Sequence, residues 1–263
     1  QDSLLHNDMT FFQKILREIR KDKRLLILPA CSFFITLAIL FGITEPLIRY
    51  EKAQWAHHHS ITFSFIRIYI AFLFFLYIKN IIKGLFNTAT CIAIKQKYIR
   101  DSWNFKSVLS ELKNSGFKIV LYYTYFSFVG IYYLIYSAVI GHNHPRRAFG
   151  GTYMQYAHLI CIPNMIHQPR GVRETLKNSG QLITNTWGAP PIKMRINMVT
   201  IQWLLFLVCL VPAVITLSTA TQLNWYVYSG LALSLALFFC LDITHKIAWQ
   251  YFSYALYYYA KNK

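Results

Sequence analysis

The sequence predicts an all-α, polytopic membrane protein with six transmembrane helices and amphipathic helices on its cytoplasmic face. Two observations predict this fold class. The 263-residue chain is 55 % hydrophobic, and several of its apolar runs approach the roughly 20 residues that a helix needs to cross a ~30 Å hydrocarbon core. Lysine and arginine are also distributed unevenly between these runs: 22 lie in alternate segments and only four in the intervening connections. This alternation follows the positive-inside rule and places both termini in the cytoplasm.

The basic residues define the topology segment by segment. Six precede Leu25, eight lie in residues 79–118, five in residues 167–197 and three after Thr244. The intervening connections hold two at residues 49 and 52, two at residues 146 and 147, and none near residue 224. We therefore expect residues 1–24 to be a cytoplasmic segment and residues 25–263 to be a six-helix transmembrane domain. The predicted spans cover residues 25–44, 61–94, 117–140, 153–166, 198–220 and 223–244.

The first half of the chain combines long apolar runs with amphipathic segments. Residues 9–24 have the periodicity of an amphipathic helix on the membrane surface. The first span follows, and residues 45–60 form an external connection. The second span, residues 61–94, is too long for one crossing, so we expect its helix to project into the cytoplasm beyond Lys79. Residues 103–115 are predicted to be a separate cytoplasmic amphipathic helix before the third span.

In the second half, the fourth apolar segment is short. Residues 153–166 include His158 and Pro163, and this segment alone could be re-entrant or interfacial. The basic residues after it favour a full crossing. Residues 171–187 are predicted to form a third cytoplasmic amphipathic helix. The fifth span contains Pro212, and the sixth continues into an aromatic, helical C-terminus.

Three stretches carry a family resemblance: residues 18–29 (EIRKDKRLLILP), residues 86–89 (FNTA) and residues 175–188 (TLKNSGQLITNTWG). Together they resemble an uncharacterised family of bacterial six-helix integral membrane proteins, one of the domain-of-unknown-function families. The resemblance covers about residues 12–250, and the chain departs from the family pattern around the third and fourth spans. It implies a helical bundle in the bacterial inner membrane and carries no catalytic residues with it.

Six basic residues next to the first span are predicted to bind anionic phospholipid. Each basic residue near an anionic leaflet contributes roughly 1 kcal/mol, and the apolar side of the same helix adds burial in the interface. The alternative is that these charges only fix the orientation during insertion. The residues are Lys14, Arg17, Arg20, Lys21, Lys23 and Arg24.

Five histidines lie in the two connections predicted to be external. Neutral imidazoles suit zinc, copper or nickel, so the shared membrane face makes them candidate metal ligands. Consecutive histidines point in different directions, and the alternative is two solvated loops among interfacial aromatic residues. The candidates are His57, His58, His59, His142 and His144.

Four polar residues inside the apolar segments are candidates for a transport path or for helix packing. Arg67 can extend its guanidinium to the external interface, and Asn87 can bridge helices by hydrogen bonds. His158 is a candidate proton-handling or ligand group. Asp242 is another, but a local ion pair with His245 or Lys246 explains it without a function.

The sequence favours a non-enzymatic function. It contains no GxSxG, HExxH or Walker motif and no pair of carboxylates within one span, and we expect no cofactor. The net charge of +17 does not indicate a nucleic-acid partner, because the charge is divided among short connections. We expect an accessory or scaffolding subunit that binds partner membrane proteins and anionic lipid. The alternative is a transporter or channel-like protein for lipid or a small solute.

Overall fold

A computed structural model describes residues 17–57, 61–140, 151–168, 171–187, 207, 211 and 225–262. These residues form helices and short connections, and no strand occurs among them. After a helical stretch at residues 17–21 and a 3-10 helix at Lys23–Leu26, six α-helices follow. They are α1 (Ile27–His57), α2 (Ile61–Arg100), α3 (Phe105–Ile140), α4 (Gly151–His167), α5 (Val172–Trp187) and α6 (Trp225–Asn262).

Three helices are long and apolar enough to span a membrane, in a search of the described residues. The qualifying segments are Lys23–Leu47, Arg67–Arg100 and Tyr228–Asn262. Large apolar side chains on these segments remain exposed, among them Phe34, Phe41, Phe72 and Leu235. Exposed apolar surface of this extent is typical of a membrane-contacting protein. The prediction of an all-helical protein with helices long and apolar enough to span a membrane is therefore confirmed for the described residues.

Two predicted helix boundaries are wrong. α1 continues to His57 through most of the predicted external connection, and an ion pair between Glu45 and Arg49, one turn apart, stabilises its extension past Pro46. α3 runs without interruption through Gly116, so the predicted 103–115 helix and third span form a single helix. An interior glycine costs only about 1 kcal/mol, and tertiary packing outweighs that cost.

Other predicted elements agree with the structure. α2 is 40 residues long, or about 60 Å at the α-helical rise, and it continues past Lys79 as expected. α6 continues to Asn262, which confirms the helical C-terminus. Helices also cover the fourth apolar segment and residues 172–187. A third predicted boundary is wrong, because the N-terminal helix ends at Lys21 rather than at residue 24. The fifth span lies outside the described residues except for Leu207 and Val211.

The core is built where α2 and α3 pack side by side and where α4 and α5 cover them. The α2–α3 contact is close at Gly84, whose position leaves no room for a Cβ beside the Tyr123 ring. Ile160 of α4 packs with Ile183 of α5 and with Phe252 of α6 in one buried cluster. The apolar side of α5 is therefore covered by protein, so this side does not contact the membrane surface.

Candidate functional site

The basic N-terminal segment, residues 17–24, is held against the junction of α2 and α3. Glu18 pairs with Lys97 of α2 at 3.2 Å, and the Lys97 ammonium also donates to the Glu18 carbonyl oxygen at 3.2 Å. The indole N–H of Trp103 donates to Asp22 Oδ2 at 2.8 Å. Ile19 and Leu25 are buried on either side of these bonds. Two acidic and two apolar side chains thus fix this segment to the helices.

The basic side chains of the same segment are accessible at the surface, although Lys21 pairs with Glu18 at 2.9 Å and Arg24 pairs with Asp22 at 3.1 Å. Arg17, Arg20, Lys21, Lys23 and Arg24 are all exposed. The side chains of Lys21 and Arg24 are 63 % and 65 % accessible, whereas their acidic neighbours Glu18 and Asp22 are 28 % and 13 % accessible. The segment is therefore sorted by charge in part: both acids are bonded within the protein, and Arg17, Arg20 and Lys23 are exposed without an ion pair among the described residues. Lys14, the sixth residue of the predicted lipid site, lies outside the described residues.

Both inward carboxylates are held in their ionised form. A hydrogen bond from the Lys21 ammonium lowers the pKa of Glu18, partial burial opposes it, and Lys97 lowers the pKa further. Partial burial raises the pKa of Asp22, but the bonds from Arg24 and Trp103 outweigh it and the pKa falls below its usual value. The bonds that hold the segment are therefore complete at neutral pH.

The α2–α3 junction itself is braced by polar contacts. The Lys95 ammonium pairs with Glu111 of α3, and the Gln96 amide donates to the Ser107 hydroxyl at 2.9 Å. The Asn104 side chain accepts from the backbone N–H of Lys106 at 3.0 Å and so caps the start of α3. The Arg24 guanidinium lies 5.7 Å from the centre of the Trp103 ring, a cation–π distance. The junction therefore gives the N-terminal segment a rigid support.

The residues predicted to line a path do not share a site. Arg67 lies 5.2 Å from the centre of the Tyr50 ring on α1, and Asn87 lies close to the Tyr123 side chain on α3. Asp242 pairs with Lys246, one turn along α6, at 2.5 Å. The local ion pair predicted for Asp242 is confirmed, and each of these three residues contacts a different element. The side chain of His158 lies outside the described residues.

The histidine prediction stays a prediction. His57 ends α1, but its side chain is not described, and His58, His59, His142 and His144 lie outside the described residues. Among the residues that are described, no group of three His, Cys, Asp or Glu side chains could hold a metal ion.

The sequence did not indicate a buried polar network between α4 and α5. The Asn164 amide donates to the Ser179 hydroxyl at 2.9 Å and to the Thr175 carbonyl at 3.4 Å. Cys161 lies within hydrogen-bonding reach of Ser179 and of Tyr122 on α3. All five side chains are buried. The one-turn spacing of Thr175 and Ser179 was the available signal, because small polar residues allow helices to approach closely and bond.

A second missed feature is His167 at the end of α4. Its ring stacks on Tyr257 of α6 with centroids 5.0 Å apart, and its Nε2 lies 3.4 Å from the Tyr254 hydroxyl. Burial lowers the pKa of His167 to about 4, and the nearby Lys95 and Lys261 add to the shift. The imidazole is therefore neutral at neutral pH and ties α4 to α6.

Comparison with family models, with curated proteins and with solved structures finds no match in any of the three. The family resemblance of the sequence therefore stays a prediction. The charge-sorted N-terminal segment, residues 17–24, is the candidate functional site.

Proposed function

We propose that the protein is a non-enzymatic integral membrane component, an accessory or scaffolding subunit with six spans and both termini in the cytoplasm of a bacterial cell. Its spans bind partner membrane proteins, and its basic N-terminal segment binds anionic lipid. The three long apolar helices support the membrane placement. The positive-inside distribution of the basic residues supports the orientation.

The charge sorting of residues 17–24 is the observation that carries the lipid part of this proposal. A segment needed only for orientation during insertion requires positive charge, but not a fixed conformation. Here Glu18 and Asp22 bond to Lys97 and Trp103, and also to Lys21 and Arg24. Five bases remain exposed directly before an apolar helix, where a headgroup layer begins in this placement, and three of them, Arg17, Arg20 and Lys23, form no ion pair within the described residues. At roughly 1 kcal/mol per base, less some screening by salt, they supply several kcal/mol.

The exposed apolar side chains support the partner-binding part. α3 presents Phe117, Leu121, Tyr125 and Phe128 along one side at helical spacing. In the proposed placement this side faces the bilayer and is available to a neighbouring helix. Because lipid chains are as apolar as these side chains, spans in a bilayer associate by close packing and hydrogen bonds rather than by the hydrophobic effect.

Purification in mild detergent, with mass spectrometry of the retained proteins and lipids, tests the proposal. We expect anionic phospholipid to be enriched relative to the bulk membrane, and at least one other membrane protein to copurify at a fixed stoichiometry. A lone monomer without enriched anionic lipid would contradict the proposal. Substrate-dependent flux by that monomer in vesicles would favour the alternative, a transporter for lipid or a small solute.

A further inference from the structure

A second group of charges lies between α2 and α6, apart from the N-terminal segment. Lys246 and Asp242 form the ion pair described above. Lys83 of α2 lies within electrostatic range of both, and also of Lys79 one turn earlier. His245 is within range of Lys83 and of the ion pair. We call these five residues the α2–α6 charge cluster.

The charge in this cluster is not balanced. Three lysines face one aspartate, which leaves an excess of two positive charges while His245 is neutral. Asp242 is committed to Lys246, and both side chains are largely buried, at 23 % and 11 % accessibility. Lys79 and Lys83 form no ion pair within the described parts of the chain. Lys83 is exposed and Lys79 is half-buried, so part of the excess positive charge is accessible at the α2–α6 contact.

The packing of α1 against α6 indicates where the charge cluster lies relative to the headgroup layer. Ile243, next to Asp242, lies in a buried cluster against which Leu26, just before α1, and Ala30, in the first turn of α1, pack. Ala30 is six residues from Arg24, or about 9 Å along a helix. In the proposed placement, Arg24 lies in the headgroup layer. The charge cluster then lies at the cytoplasmic interface, near Lys79 where α2 is expected to leave the membrane, and its lysine side chains can extend to lipid phosphates.

We propose that the α2–α6 charge cluster binds the phosphate group of an anionic phospholipid in the cytoplasmic leaflet. Lys79 and Lys83 contact the phosphate, and Asp242 holds Lys246 beside them. Basic pockets between transmembrane helices on the cytoplasmic side bind anionic headgroups in this way. The site rests on the membrane placement proposed above, but shares no residue with the N-terminal segment.

Lipid titration of the full-length protein in a nonionic detergent tests this site. The probes are phosphatidylglycerol, phosphatidylcholine and inorganic phosphate, and native mass spectrometry counts the bound molecules. We expect Lys83→Gln to weaken phosphatidylglycerol binding about fivefold, as the loss of one basic contact near lipid predicts. Lys79→Gln with Lys83→Gln should weaken it further, and Lys83→Arg should restore it. Lys113→Gln, which removes an exposed lysine from α3, is the matched control and should leave binding unchanged.

Asp242→Asn gives a result of opposite sign. It removes the only carboxylate of the cluster, so phosphatidylglycerol should bind more tightly, whereas a purely structural role predicts only weaker binding. Inorganic phosphate that displaces the lipid would show that the site recognises phosphate from either source. Unchanged phosphatidylglycerol binding by the double lysine variant would overturn the proposal for this cluster. If N-terminal variants still lose lipid in the same assay, the proposed function stands without it.

Discussion

The close contact of α2 and α3 at Gly84 gives a sharp test of the packing that supports the N-terminal segment. A Cβ built on Gly84 would lie 2.3–2.5 Å from three carbons of the Tyr123 ring, about 1 Å inside an ordinary van der Waals contact. An aromatic ring packed between two helices cannot yield this distance by a small rotation. Overpacking of this kind costs about 1–3 kcal/mol. We therefore expect Gly84→Ala to destabilise the protein by about 2 kcal/mol.

For a chain of this size, a loss of about 2 kcal/mol corresponds to a thermal midpoint lowered by about 4–8 °C. Thermal unfolding in detergent, followed by circular dichroism, measures this shift. The control is Gly116→Ala on α3, where no atom lies within 4 Å of the added Cβ, and its midpoint should stay equal or rise because alanine favours a helix. An unchanged midpoint for Gly84→Ala would refute the close α2–α3 packing.

Three further predictions concern the ends of the helices. Trp103→Phe removes the indole N–H that donates to Asp22, a charge-assisted bond worth about 1.5–3 kcal/mol. Trypsin should therefore cleave this variant at residues 17–24 several-fold faster. An unchanged cleavage rate would show that the bond does not hold the segment. Because the fold holds the pKa of His167 at about 4, below the ordinary value near 6.5, its contribution to stability is complete above pH 6.5 and is lost as the pH falls towards 4. For this half-buried group we expect the free energy of unfolding to fall by about 1 kcal/mol at pH 5. His167→Phe should therefore make the thermal midpoint less dependent on pH between pH 7.5 and 5. An equally steep pH dependence in that variant would contradict this prediction. A cysteine introduced at Lys106 should resist an impermeant thiol reagent applied from outside the cell, and labelling there would overturn the proposed topology.

The sequence predicted the helical class because long apolar runs and alternating charge are local signals. It predicted the extension of α2 for the same reason, since 40 residues exceed one crossing. The ends of α1 and α3 could not be predicted, because Pro46 and Gly116 express only local preferences. The Glu45–Arg49 ion pair supports the helix past Pro46, and Leu112 and Ile119 of α3 pack against other helices on either side of Gly116. Helix propensity is a weak signal where tertiary contacts decide.

Most contacts of the candidate site could not be predicted from the sequence either. The spacing of the basic residues identified the N-terminal segment, but nothing in the spacing linked Asp22 to Trp103, which is 81 residues away. The partners of Lys83 on α6 and of Asn164 on α5 likewise follow from how helices distant in sequence pack. Asp242 was predictable because its partner lies one turn away on the same helix.

The proposed function requires that the positions of the basic residues, and not only their number, determine lipid binding. Two charge-matched variants test this: one changes Arg17, Arg20, Lys21 and Lys23 to Gln, and the other changes four exposed bases elsewhere, Lys106, Lys113, Arg173 and Lys177. The measurement is the anionic phospholipid retained per inserted protein after purification. We expect the first variant to lose retained anionic lipid and the second to keep it. If the wild type and the first variant retain equal amounts of anionic lipid, the basic segment only sets orientation. If the two variants lose equal amounts, net charge alone determines lipid binding.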